Sequence, residues 1–192
     1  RYPVIQVQYV AGLKGVLNSD YAYQRLSINL DDRIRINPIG YTNYILEAGK
    51  IWGALPYPLM ILHPGNETYV YDWASFNMMN YYEFASDQYA MATLIHHFDG
   101  FFLNKIPLMR KLKWREVASF RCVFGSVNSS NRNLLLFPTT LYTLNRGPYM
   151  EAGAGIENIF KFFRVDCFWR LTYLDNPRVK PVGVRISLQI LF

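Results

Sequence analysis

Apolar and polar residues alternate along most of this chain with a period of two. In residues 182–192, Val184, Ile186, Leu188, Ile190 and Phe192 fall on one face, while Gly183, Arg185, Ser187 and Gln189 fall on the other. Successive side chains of a strand point to opposite sides, so this stretch reads as a strand with one apolar and one polar surface. The clearest case is 162–173, where Phe163, Val165, Cys167, Trp169, Leu171 and Tyr173 oppose Arg164, Asp166, Arg170 and Thr172. In 149–157, Met150, Ala152, Ala154 and Ile156 oppose Glu151, Gly153 and Gly155; in 113–124, Ala118, Phe120, Cys122 and Phe124 oppose Arg115, Ser119 and Arg121. Residues 4–10 and 21–30 alternate in the same way. Residues 41–52 do so less cleanly, because Ile45 and Ile51 sit among Asn43, Glu47 and Gly49. Residues 87–97 fit a helix as well as a strand, and their faces stay unassigned.

Eight strands in succession predict an all-β fold, an antiparallel up-and-down transmembrane β-barrel. The connections differ in character. Those at 11–20, 53–86 and 125–148 are long or rich in Gly, Asn and Pro, whereas those after the second, fourth and sixth strands are tighter or more basic. Outer-membrane barrels show this asymmetry, with long loops outside and short turns in the periplasm. With the C-terminus in the periplasm, every long loop falls on the outer side. A loop as long as 53–86 is uncommon in a compact domain and is usually functional.

Composition sharpens this picture. The 15 Tyr, 13 Phe and 4 Trp exceed what an ordinary soluble domain carries, and such residues gather in belts at membrane surfaces. No window holds the ~18 apolar residues of a spanning helix, and the best stretch, 54–62, carries Pro56 and Pro58. Entry into a bilayer would therefore be by strands. The net charge is +6, and Lys105, Arg110, Lys111, Lys113 and Arg115 share one connection. No nucleic-acid-binding module accompanies them, so they read as a solvated turn near anionic headgroups, with no nucleic-acid partner. Arg1 is neither an initiator Met nor part of a signal peptide, and the expectation is the C-terminal piece of a longer protein, a single barrel segment over 1–192.

Candidate chemistry is sparse. His96-His97-x-Asp99 is the one cluster suggesting a metal, but adjacent histidines in a strand point to opposite faces. Cys122 and Cys167 lie two strand spacings apart, about 9.6 Å, beyond the ~7 Å Cα limit of a disulfide. No nucleophile elbow, phosphate loop, zinc-protease motif or Cys-x-x-Cys is present. The expectation is a non-enzymatic protein without cofactor or metal. The polar faces carry Arg25, Glu47, Arg115, Arg121, Glu151, Arg164, Asp166, Arg170 and Arg185. In a wide watery lumen these charges would pair and hydrate; in a dry eight-stranded barrel they would be costly unless fully networked. That contrast favours half of a larger barrel, with Arg115, Arg121, Glu151, Arg164, Asp166, Arg170 and Arg185 facing the lumen.

The last three strands carry a resemblance. Gly-Pro-Tyr-Met-Glu-Ala-Gly-Ala-Gly-Ile ending at Ile156, Phe-Phe-Arg-Val-Asp-Cys-Phe-Trp-Arg-Leu ending at Leu171 and the Phe-terminated strand resemble the end of the BamA-like superfamily of sixteen-stranded outer-membrane insertases and secretion transporters. Tyr-Asp-Trp-Ala-Ser-Phe-Asn-Met-Met-Asn ending at Asn80, and 104–111, are similar to a narrower family of Bacteroidota outer-membrane proteins often fused to a carboxypeptidase-regulatory-like domain. The resemblance implies that this chain is the C-terminal half of a sixteen-stranded barrel. It also implies an insertion signal in the terminal strand (Gly183, Val184, Ile186, Leu188, Ile190, Phe192). Leu46-Glu-Ala-Gly49 precedes a loop at the place of the superfamily's lid. That lid carries a Val-Arg-Gly motif, which 53–86 lacks, so neither its lumen docking nor insertase activity carries over. The expected function is a component of outer-membrane protein biogenesis, assembly or secretion. The expected partners are the lipid bilayer, lipopolysaccharide-type lipids, the outer-membrane assembly machinery and other envelope proteins. The alternatives are a passive porin or uptake barrel, and a soluble β-sandwich binding module.

Overall fold

The computed structural model describes residues 2–189. In chain order its strands are β1 (Val4–Gly12), β2 (Tyr23–Arg35), β3 (Tyr41–Trp52), β4 (Ile61–Leu62), β5 (Phe84–Ser86), β6 (Gln88–His97), β7 (Arg115–Ser126), β8 (Tyr142–Thr143), β9 (Tyr149–Ile159), β10 (Phe163–Arg170) and β11 (Val182–Leu188). Two short helices, α1 (Pro107–Leu112) and α2 (Ser129–Arg132), lie in connections. Eight strands form one sheet in the order β1-β2-β3-β6-β7-β9-β10-β11, every neighbour antiparallel. The other three make a small sheet in which β5 pairs antiparallel with β4 and parallel with β8. That sheet ties the connection after β3 to the connection after β7. Neither of these long loops is therefore without secondary structure, as its composition suggested.

Register keeps the two faces of the large sheet separate. Between β10 and β11, Val165 pairs with Ile186 and Cys167 with Val184 on the apolar face, while Asp166 pairs with Arg185 on the polar face. Between β9 and β10, Gly155 faces Asp166 and Gly153 faces Phe168. The glycines of β9 have a steric reason: a Cβ on Gly153 would stand 2.5 Å from the Phe168 ring, and one on Gly155 2.5 Å from the Asp166 carboxylate.

Burial is inverted relative to an ordinary core. On β10 the charged Arg164, Asp166 and Arg170 are buried, and the apolar Val165 and Trp169 are exposed. Ile5, Val7, Ile28, Leu46, Leu94, Phe124, Val184, Ile186 and Leu188 are likewise exposed on the apolar face. The hydrophobic core lies on the other side, between the polar face and the long connections. There Ile51, Tyr89, Val123 and Tyr149 from the sheet meet Leu55, Ile61, Phe76, Met79, Phe84 and Leu144. Phe84 is central, with ring centroids 4.9 Å from Tyr173 and 5.7 Å from Tyr149. This explains Ile51, an apolar residue on a polar face: the loop covers it. Both faces of β6 carry apolar residues, with Tyr89 buried in this core, Ile95 buried on the same face and Leu94 exposed on the other.

Strand ends differ from the sequence reading by a few residues. β1 runs on to Gly12, β2 continues unbroken through Asp31 and Asp32, and β10 stops at Arg170, not Tyr173. Of the expected terminal strand, Gly183, Val184, Ile186 and Leu188 lie in β11; Ile190 and Phe192 lie outside the described residues. The sheet is open among the described residues, since β1 and β11 are not paired with each other. It is nonetheless strongly curved. Asp31 and Arg33 of β2 and Ser187 and Leu188 of β11 line one cavity of about 420 Å³ on the polar face.

Candidate functional site

The connection between β3 and β6 folds back over the polar face and is held there by a lattice of buried charge. The arrangement follows from what each side lacks. An irregular loop brings carbonyls and N–H groups that need partners away from water. The sheet brings side chains that can supply them. The Arg121 guanidinium donates to the carbonyls of Asp72 (3.3 Å), Trp73 (3.1 Å) and Ser75, and to the Tyr71 hydroxyl at 3.3 Å. Arg185 donates to the carbonyls of Asn66 and Asn77. The Glu151 carboxylate does the converse, accepting from the N–H groups of Asn77 (2.8 Å) and Met78 (2.9 Å) and from the Tyr149 hydroxyl.

Arg170 and Glu83 form the charged lock. Two guanidinium nitrogens reach the two Glu83 oxygens at 2.8 and 2.6 Å, and both side chains are fully enclosed. Glu83 also accepts from Asn176 Nδ2 (2.8 Å) and from the Asn80 N–H (2.9 Å), while Arg170 also donates to the carbonyls of Met78, Thr172 and Tyr173. Bidentate, charge-assisted pairs of this kind are the stronger hydrogen bonds. Arg164 and Asp166 pair within β10 at 2.7 and 2.8 Å, and the Arg164 guanidinium lies 4.4 Å above the Tyr71 ring. The loop is ordered internally by Asn66, whose amide donates to Asn77 Oδ1 (2.9 Å) and to the Val70 carbonyl (2.7 Å). It also reaches the edge of β11: Tyr71 N–H donates to the Ile186 carbonyl and Ile186 N–H to the Tyr69 carbonyl, each at 2.9 Å.

Six of the seven charges read from the sequence as facing inward, Arg121, Glu151, Arg164, Asp166, Arg170 and Arg185, are buried together beneath this loop. Arg115 is not among them. It shares their face but sits at the first residue of β7, where it is exposed and paired with Asp99 at 3.2 Å. All six are buried, and Arg121, Glu151 and Arg185 take much of their hydrogen bonding from loop backbone. Absence of a loop arginine does not prevent docking, because the arginines stand on the sheet and the loop supplies Glu83 and carbonyls. The sequence reading missed Glu83, Asn66, Asn77 and Asn176. A signal for one of them was present, since Glu83 is one of the few ionisable side chains in 53–86 besides the tyrosines.

The histidines are all engaged. His96 and His97 point to opposite faces: His96 accepts from the Thr42 hydroxyl through Nδ1 (2.8 Å) and donates through Nε2 to the Ile39 carbonyl (2.9 Å). His97 Nδ1 lies 3.0 Å from both oxygens of Glu157, its ring stacked on Tyr41. His63, buried in the loop, bonds through Nε2 to Ser86 Oγ at 2.9 Å. Burial disfavours its charged form and lowers its pKa to about 4, so it is neutral near pH 7. Cys122 and Cys167 are free thiols, and no cluster of three or more His, Cys, Asp or Glu suited to a metal exists among the described residues.

Comparison with curated proteins and with solved structures finds no match. One family model does match, over residues 1–128, covering β1 to β7 and the docked loop. On that match the chain belongs to the DUF5686 C-terminal domain family, a family of unknown function.

Proposed function

We propose that this chain forms part of the wall of an outer-membrane β-barrel, with residues 53–86 as a plug docked on its lumen face. The observation that carries the proposal is the inverted burial, with arginines and carboxylates enclosed and Trp169, Val165, Ile186 and Leu188 exposed on the opposite face. In water such a face would invite aggregation; against lipid it is the expected band. β2, β3, β7 and β9 have 13, 12, 12 and 11 residues, enough for the ~9–11 that a tilted membrane strand needs. The unpaired edge of β1 leaves room for further strands, as in the C-terminal half of a sixteen-stranded barrel.

Within that frame the role is non-enzymatic, in outer-membrane protein biogenesis, assembly or secretion. This narrower reading rests on the resemblance of the last three strands to the BamA-like superfamily. Its partners would be lipid, lipopolysaccharide-type lipids and the assembly machinery. A passive porin fits less well, because the loop fills the polar face where a conducting path would run. A β-sandwich would need a second layer over the apolar face, and among the described residues none is present. The test is an immunoblot of fractionated envelopes, with and without boiling. A heat-modifiable outer-membrane band well above 22.5 kDa is expected, and a soluble band would overturn the proposal.

A further inference from the structure

The connection between β6 and β7 lies at the end of the sheet opposite the docked loop, and it combines two properties. Phe102, Ile106, Leu108 and Leu112 are between 42 % and 62 % exposed there, and Leu108 and Leu112, four apart on α1, share one side of the helix. Around them stand Lys105, Arg110, Lys111 and Lys113. Of the carboxylates nearby, Asp99 pairs with Arg115, and Glu116 is turned inward, accepting from the Leu103 N–H through Oε1 with its Oε2 buried. None of the four cations is ion-paired among the described residues. Lys105 lies against aromatic rings, its Nζ 4.5 Å from the Phe101 centroid and 5.9 Å from that of Phe102. The apolar ridge is continuous with the exposed face of the sheet. His96 of β6 packs on Phe98 at 4.3 Å, and Phe98 on Phe102 at 5.4 Å.

We propose that residues 98–114 form an anionic-phospholipid clamp. In it Phe102, Ile106, Leu108 and Leu112 enter the acyl boundary, while Lys105, Arg110, Lys111 and Lys113 hold headgroup phosphates. This rests on the membrane reading above and adds a lipid class and a leaflet, since the short-turn end meets the phospholipid leaflet. Exposed apolar residues ringed by unpaired cations are the chemistry of an interfacial segment on an anionic surface. A soluble turn has no use for four half-exposed apolar side chains continuous with an apolar sheet face.

The test is reconstitution of the intact barrel that contains this chain, extracted folded from its envelope, into phosphatidylcholine vesicles with and without phosphatidylglycerol. Mild detergent extraction and native mass spectrometry then count retained lipid. Wild type is expected to retain phosphatidylglycerol over phosphatidylcholine, in a salt-sensitive way. The combined variant Lys105→Gln, Arg110→Gln, Lys111→Gln and Lys113→Gln should lose that preference by about fivefold per charge removed. Equivalent neutralisation at the opposite end, Lys14→Gln, Arg132→Gln, Arg178→Gln and Lys180→Gln, should leave it intact. Equal retention of the two lipids by an inserted wild-type chain, or a preference that survives the first variant, overturns the clamp alone. An intact protein that fractionates as soluble, outside the envelope membranes, overturns the clamp and the membrane reading together.

Discussion

Replacing Glu83 with alanine isolates the lock that holds the loop on the sheet. The change removes the acceptor of two Arg170 bonds, one Asn176 bond and the Asn80 N–H bond, and leaves the Arg170 guanidinium enclosed with carbonyl oxygens as its hydrogen-bond acceptors and no counter-ion bonded to it. Breaking one side of a buried pair costs about 3–5 kcal/mol, most of it the stranded charge. At 1.4 kcal/mol per tenfold, the lower bound is about a 100-fold rise in loop opening. The assay is amide hydrogen exchange at Asn77 and Met78, whose N–H groups are bonded to Glu151 in the same lattice. Their protection should fall by about two orders of magnitude, while amides at the centre of β2 and β3 stay protected. Arg170→Met alone should loosen the loop too, and combining it with Glu83→Ala should cost much less than the sum, because no buried charge remains. Unchanged protection in Glu83→Ala, or additive effects in the double variant, would refute the lock.

Other outcomes follow from the same geometry. The neutral His63 imidazole is favoured in the folded state, so its pKa of about 4 is below the unfolded value near 6.5. Its contribution is intact above pH 6.5 and is lost as pH falls toward 4, by roughly 3 kcal/mol at most. Thermal midpoints of wild type and His63→Asn across this window should converge in acid, and parallel curves would contradict the assignment. Gly153→Val pushes a side chain into Phe168 and should lower the stability read from urea unfolding by about 1–3 kcal/mol, with Ala154→Val at an exposed position nearly neutral. Trp169→Asp or Leu171→Asp should block membrane insertion, measured by heat modifiability. Thr172→Asp, which keeps an acceptor for the Met150 N–H, should be tolerated; equal tolerance of all three would contradict a lipid-facing role. The exposed Arg146–Asp175 pair, although 2.6 Å long, should matter little to stability when Arg146 becomes alanine, as measured by the same urea midpoints.

The alternation of side chains was enough to place the long strands other than β6, to give both faces of β7, β9 and β10, and to show that two adjacent histidines diverge if 87–97 is a strand. These are local consequences of strand geometry, and they need no knowledge of what lies opposite. The same reasoning failed at Ile45, Ile51 and the whole of β6, where a polar face carries apolar residues. Ile51 and Tyr89 of β6 answer to the loop packed on them, a partner more than 20 residues away in the chain for Ile51 and Phe76. The partners of the buried charges were equally out of reach. Arg121, Arg170 and Arg185 were legible as a polar set, but Arg121 and Arg185 reach loop backbone carbonyls, which every sequence possesses and none advertises. Glu83 stands 87 residues from Arg170 and became its counter-ion only when the loop folded back. Period and composition therefore determined the strands and the chemical character of each face. Tertiary structure decided which face is dry, because burial of a charge depends on what is brought to it through space.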